Sequence, residues 1–421
     1  MTKRDTTVEC VFGSILLKGR SMFTAQKVGL FIMALSLCIG CGSMVAAGID
    51  DHRVEVKIDG RISIVPPSSE TRAMLGMVRH LDGTIYLNTQ RQGLYKSTDN
   101  GKTWTASPVN FDPTVPAGQR LHGLGVSSTG RLYLLHQRHG KELFISTSTD
   151  GGTAWSTTQI DYANLNPSDP YSTAGQDYNS FVEFPDGTMM TAIELRYPEA
   201  IDFLGSPTKC GFHETVIRSS DNGASWGVPT SLNQYVAETS LAIDPNDPSH
   251  ILAKTRIQRM LLPGENRAAV ESLTGCRAGT AWPYKNGILL ESKDGGRSFQ
   301  ETAGGLIGHY EFRGTTLWAT NDTVVIAHQG ASGGTKTGEV FARISLDGGK
   351  TWVNGTKTGT PLFNKSKEFE LVPKPPGHSY TTPTVEISPN HFLTAYAHGD
   401  AKIKQFTISG VFWHLEPASD K

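Results

Sequence analysis

The sequence predicts an all-β chain folded as a six-bladed β-propeller, and three observations carry that prediction. First, the spelling Ser-x-Asp-x-Gly-x-x-aromatic at Ser97 to Trp104 returns at Ser148 to Trp155, Ser219 to Trp226, Ser292 to Phe299 and Ser345 to Trp352. Average residue usage gives far fewer than one chance match in 421 residues. Second, a β-rich run such as Glu142-Leu143-Phe144-Ile145 or Glu339-Val340-Phe341-Ala342 precedes each copy. Third, the copies lie about 50 to 70 residues apart, the size of one four-stranded sheet with variable loops.

The repeat has the chemistry of an anchored turn between two strands. Its Asp can hold backbone N–H groups just ahead, its Gly accepts a positive φ, and its Trp or Phe plugs an apolar gap. With 45 Gly and 22 Pro, the composition is that of a turn-rich β chain large enough to bury a sizeable core. The net charge of −1 gives no bulk electrostatic basis for binding nucleic acid or a membrane surface. No metal-ligand spacing and no phosphate loop stand out, so neither a metal nor a cofactor is expected.

The chain divides into residues 1–47, 48–70 and 71–421. Val28 to Gly40 is an apolar run behind Lys18, Arg20 and Lys27, of export-signal length and short for a membrane span. It ends in Cys38-Ile39-Gly40-Cys41-Gly42-Ser43, which resembles a bacterial lipoprotein signal with Cys41 lipidated, although Leu37 stands one position early. Cleavage after Val45-Ala46-Ala47 is the alternative, and Met22 is a candidate start. Either reading makes the protein exported: periplasmic, a lipid-anchored surface protein, or secreted. The pair Cys210 and Cys276 is then a disulfide candidate.

In residues 48–70, Val54 to Ile58 and Arg61 to Val65 alternate as strands do, and one of them can pair with the C-terminal strands to close the ring. Six blades follow, each opening on two strands. Met74 to Val78 precedes Ile85 to Asn88, Leu121 to Val126 precedes Leu132 to His136, and Ser180 to Phe184 precedes Met189 to Glu194. Ser240 to Ile243 then leads to Ile251 to Thr255, Thr315 to Ala319 to Val324 to His328, and Thr382 to Ile387 to Phe392 to Tyr396. Five blades carry the repeat after a third strand; the sixth, with Ile403 to Ile408, does not.

Antiparallel pairing puts strand-one starts and strand-two ends on one face of the disc and the repeat turns on the other. Strand-one starts carry Arg72, His122, Asp177 with Tyr178, Glu238, Glu311 with Arg313, and His378 with Tyr380. Strand-two ends carry Arg91, Arg138, Arg196, Arg256, His328 and His398. Together these imply a locally basic mouth and an acidic ligand, although such residues elsewhere simply bond loop carbonyls or line a solvated rim. The long loops Tyr197 to Phe212 and Gln258 to Tyr284, which hold the two cysteines, belong to the same face.

The repeats are similar to Asp boxes, also called BNR repeats, and the chain from about residue 65 resembles the sialidase superfamily. That family uses a Tyr nucleophile assisted by a Glu, an Arg cluster for the substrate carboxylate, and a separate Asp acid. Ser379-Tyr380-Thr381-Thr382-Pro383 resembles the nucleophile segment. Glu238-Thr239-Ser240-Leu241, followed by Ile251 to Arg256, resembles the Glu segment with its second Arg. Arg72-Ala73-Met74, ahead of Asp82-Gly83, stands where the family has Arg-Ile-Pro.

Two family parts have no counterpart. Thr89-Gln90-Arg91-Gln92-Gly93 contains no carboxylate where the acid is expected, and only Lys336 stands near the position of the third Arg. Asp177, Asp169 and Glu311 remain as candidate acids.

The resemblance implies an exo-acting glycoside hydrolase for an acidic, sialic-acid-like sugar. In it Tyr380 attacks, Glu238 takes its proton, and Arg72 with Arg256 holds the carboxylate; Arg196, Arg138, Arg91, His122, Asp177 and Tyr178 complete the substrate-binding set. The alternatives are a uronate-specific polysaccharide lyase and a non-catalytic surface lipoprotein that binds acidic glycan.

Overall fold

The computed structural model describes residues 54–68, 76–91, 93–138, 142–165, 173–174, 181–196, 213–234, 236–259, 261, 265–274, 284–308, 314–332, 335–353, 369–373, 381–400 and 405–417. Among them, six antiparallel sheets form a six-bladed propeller, one sheet per blade. The first strand, β1 (Val54–Ser68), belongs to the last blade.

Blade one is β2 (Gly76–Arg79), β3 (Ile85–Thr89), β4 (Gly93–Ser97) and β5 (Thr105–Ser107). Blade two is β6 (Arg120–Val126), β7 (Leu132–Gln137), β8 (Leu143–Ser148) and β9 (Ser156–Ile160). In blade three the inner position holds two short pieces, β10 (Thr173–Ala174) and β11 (Phe181–Glu183). Both pair with β12 (Met189–Arg196), ahead of β13 (His213–Ser219) and β14 (Gly227–Gln234).

Blade four is β15 (Val236–Ile243), β16 (Ile251–Arg259), β17 (Tyr284–Ser292) and β18 (Gln300–Gly308). Blade five is β19 (Gly314–Trp318), β20 (Val324–Ser332), β21 (Thr335–Ser345) and β22 (Phe369–Val372). Blade six runs β23 (Thr384–Ser388), β24 (His391–Asp400) and β25 (Gln405–Pro417), with β1 outermost. Two helices, α1 (Tyr162–Leu165) and α2 (Arg267–Thr274), sit in connections. No described helix is long and apolar enough to cross a membrane.

The ring closes by pairing β1 with β25 from Val54↔Pro417 to Ser68↔Phe406, so the outer edge of the last blade is covered by the start of the chain. The core is divided among the junctions between blades. Leu87 of blade one packs with Leu393 and Ile408 of blade six, and Leu94 packs with Leu134 of blade two. At the junction of blades four and five the buried apolar cluster is small: Leu252, Leu289, Val324 and Ile326.

The Asp boxes are wedges between blades. In the first, Gly101 N–H donates to Ser97 Oγ (2.8 Å), Thr103 N–H and Oγ1 donate to the Asp99 carboxylate (2.9 and 2.6 Å), and Trp104 Nε1 donates to Gly101 O (2.8 Å). Gly101 has φ +87°, and a Cβ there would stand 2.5 Å from Leu393 of blade six, so the box needs Gly on both counts. The other boxes lean on the preceding blade in the same way. Tyr86 donates to Gly151 O (3.2 Å), Thr158 to Gly223 O (3.0 Å), and Arg218 to Gly295 O (3.3 Å), while Gly349 abuts Leu252.

Candidate functional site

Glu238 and Arg256 meet where β15 and β16 pair. Ala237 lies opposite Arg256 and Ser240 opposite Lys254, so three steps on β15 match two on β16, and the extra residue makes a bulge. Glu238 takes φ +61° in that bulge. A non-glycine residue in the left-handed region within a strand costs on the order of 1 kcal/mol or more, and such strain gathers at functional sites.

The strained residue is held by an ion pair, Arg256 Nε to Glu238 Oε2 at 3.0 Å, with side chains only 3% and 4% exposed. Removing either partner strands a charge in a low-dielectric setting.

Side chains alternate along β16. Ala253 packs in the cluster shared with blade three and Leu252 in that shared with blade five. Lys254 and Arg256 therefore project toward blade five, and Thr255 toward blade three. Thr239 confirms the alternation by donating to Thr255 Oγ1 at 2.9 Å, while Thr255 donates to Ala237 O at 3.0 Å. Arg343 and His328 lie on the facing side of blade five; both are buried, and the His328 ring lies 5.6 Å from that of Phe341. The sparse apolar cluster at this junction thus adjoins buried cations.

The other expected site residues differ in their surroundings. Arg138 is bidentate with Glu142 (3.1 and 2.6 Å), while Arg91 lies exposed after β3. Arg196 ends β12, where its backbone pairs with Thr173. With Arg138 and Arg256 both facing carboxylates, the expected basic mouth is partly neutralised from within the chain.

His122 is buried beside His136. His136 bonds Gln119 (3.0 Å) and Ser146 (2.7 Å) and stacks on Phe111, and burial, followed by the His122 charge, holds its pKa at about 3. His398 bonds Ser409 Oγ at 2.9 Å, and burial lowers its pKa.

Tyr380, Arg72, Asp177, Tyr178, Asp169, Glu311, Arg313, His378, Cys210, Cys276 and Cys41 lie outside the described residues. Sequence reasoning missed Glu194, Glu214 and Lys254, all buried. The signal was periodicity: Glu194 shares its strand face with Met190 and Ala192, and Lys254 shares one with Leu252, so each stands where an apolar residue is expected.

A cavity of about 670 Å³ follows the ring axis, with Met77, Leu124, Val182, Leu241, Leu317 and Val385 each supplied by the first strand of a different blade. It reaches Leu81, Trp318 and Glu386, at the strand-one ends on the Asp-box face, and neither Glu238 nor Arg256 lines it. Its rim acids join blades: Glu183 accepts from Ser128, and Glu386 accepts from Thr320 N–H (3.0 Å) and Oγ1 (2.7 Å). The cavity is lined by the first strands of all six blades, and on β15 its lining begins at Ser240, two residues after Glu238. Among the described residues, no His, Cys, Asp and Glu are grouped to hold a metal ion.

Residues 95–106 match the BNR/Asp-box repeat family. No curated protein matches the sequence. Among solved structures, a Dyadobacter fermentans protein of unknown function has 16% identity and a TM-score of 0.59, covering 86% of this chain and 99% of its own. An α-L-arabinofuranosidase of Fusarium graminearum has 13% identity and a TM-score of 0.54, covering 84% and 97%. The Trypanosoma rangeli sialidase has 10% identity and a TM-score of 0.53, covering 84% of this chain and 58% of its own.

Proposed function

From a chain that is an Asp-box protein of the sialidase-like propeller fold, we propose an exo-acting glycoside hydrolase for an acidic, sialic-acid-like sugar, exported from the cell. The observation that carries this reading is the buried Glu238–Arg256 pair on a strained bulge. With 4% of its side chain exposed, Glu238 is poorly placed to touch a sugar and suited to act on a neighbouring protein group. In the proposed chemistry that group is the phenol of Tyr380. Glu238 takes the phenolic proton as the oxygen attacks the anomeric carbon and the glycosidic bond breaks, the departing oxygen taking a proton from one of the candidate acids Asp169, Asp177 or Glu311, and water then displaces the phenol; Arg72 holds the substrate carboxylate, and Arg256 holds Glu238 in place. A neutral nucleophile avoids repulsion from that carboxylate.

The test is release of fluorophore from a panel of sialosides, glycuronides and arabinofuranosides by residues 48–421. Tyr380→Phe should lower sialoside turnover by at least about 10²-fold with an unchanged melting temperature; retained turnover would remove Tyr380 from the mechanism. A second reading, hydrolysis of a neutral pentofuranoside, is favoured by the internal pairing of Arg138 and Arg256 and by the arabinofuranosidase neighbour. Arabinofuranoside turnover without sialoside turnover would select it.

A further inference from the structure

The bulge that carries Glu238 is spanned by a side chain that the chemistry above does not use. Between the pairs Ala237↔Arg256 and Ser240↔Lys254, Glu238 and Thr239 on β15 stand opposite a single residue of β16, Thr255. Its hydroxyl donates to Ala237 O at 3.0 Å and accepts from Thr239 Oγ1 at 2.9 Å. Ala237 precedes Glu238 and Thr239 follows it, so one hydroxyl ties together the residues on either side of Glu238.

The surroundings of this chain of bonds are apolar. Thr239 and Thr255 are both 0% exposed. Thr255 stands opposite Ile288 in the ladder and between Ala253 and Ile257 on its own strand face, and all three pack in the cluster shared by blades three and four. Valine suits such a position, because a buried hydroxyl costs free energy unless its hydrogen bonds are made. Here both are made, and in a low-dielectric setting linked hydrogen bonds strengthen one another. Glu238 has φ +61°, which a regular extended strand does not offer. Holding Ala237 O and Thr239 Oγ1 on one hydroxyl opposes relaxation to that extended form, which would swing the Glu238 side chain away from Arg256.

We propose that Thr255 is a positioning residue for Glu238: its hydroxyl staples the bulge, sets the left-handed backbone there and so aims the carboxylate. The Arg256 ion pair holds the tip of the Glu238 side chain, whereas Thr255 holds its root. The catalytic consequence rests on the role proposed for Glu238; the staple itself does not.

The test compares Thr255→Val, which keeps the shape and removes the hydroxyl, with Thr255→Ser, which keeps the hydroxyl. Crystal structures read φ at Glu238 and its distance from Arg256, amide exchange reads residues 237–241, and sialoside kinetics separate kcat from KM. Thr255→Val should lose the left-handed φ, exchange faster over 237–241, and lower kcat by about 10- to 100-fold with little change in KM, because Glu238 acts on the nucleophile rather than on the sugar. Thr255→Ser should restore all three. Thr239→Val cuts the chain at its other bond and serves if Thr255→Val does not fold.

An unchanged φ and Arg256 distance in the hydroxyl-free variant overturns the staple. A lower melting temperature with wild-type kcat is what a merely structural hydroxyl gives, and it overturns the positioning role. If the wild type cleaves no sugar, the glycosidase reading falls, while the variant structures and amide exchange still decide whether Thr255 sets the Glu238 bulge.

Discussion

At Glu238 two costs meet in one residue: a left-handed backbone and a carboxylate removed from water. The Arg256 ion pair offsets both, so Glu238→Gln should destabilise the fold by roughly 3 to 5 kcal/mol, with part recovered in Glu238→Gln/Arg256→Met. Urea unfolding measures this, and a loss under about 1 kcal/mol would mean that water screens the pair. His136 makes a separate prediction. Its folded pKa of about 3 lies below the ordinary 6.5, so the unfolded chain binds the proton first. Its contribution is full above about pH 6.5 and is lost as pH falls toward 3, on the order of 5 kcal/mol in all. His136→Gln should flatten that limb of a melting-temperature profile; an unchanged slope would exclude His136 as its source.

At the scale of elements, the Asp box joins neighbouring sheets. Gly101→Ala adds left-handed strain and drives a methyl group into Leu393 of blade six, whereas Gly118, at φ +82°, has nothing within 4 Å of its Cβ position. Gly118→Ala should cost about 1 kcal/mol from the backbone alone, and Gly101→Ala about 1 to 3 kcal/mol more. Equal losses in thermal unfolding would mean that Leu393 yields without cost. Hydrogen bonds from the Thr103, Ser225 and Ser298 hydroxyls, joined by backbone N–H groups, hold Asp99, Asp221 and Asp294 at about 2. Their support is therefore present above the ordinary Asp range and is lost only as pH falls toward 2.

For the whole molecule, closure depends on β1, whose partner β25 belongs to the other end of the chain. Removal of residues 54–68 exposes a 13-residue edge strand, Gln405–Pro417, and uncovers the Leu393 and Ile408 side of the cluster that Ile64 and Val65 cover. The shortened protein should melt in a broad transition and associate on size-exclusion chromatography; a sharp, unshifted melt of a monomer would show that the strand is dispensable. The sequence by itself determined the blade count, the repeat turns and the segments that become strands, because these follow from period-two alternation and local turn chemistry. It also brought Glu238 and Arg256 forward, since both stand at blade positions that the repeat register makes equivalent. Only the tertiary structure decided that these two form a buried pair on a bulge, that Arg138 is bound by Glu142, and that Thr255 stands opposite that bulge. Those outcomes depend on strand register and on which face of a blade meets its neighbour. Register across residues distant in sequence is fixed by packing of the assembled ring, which no local pattern encodes.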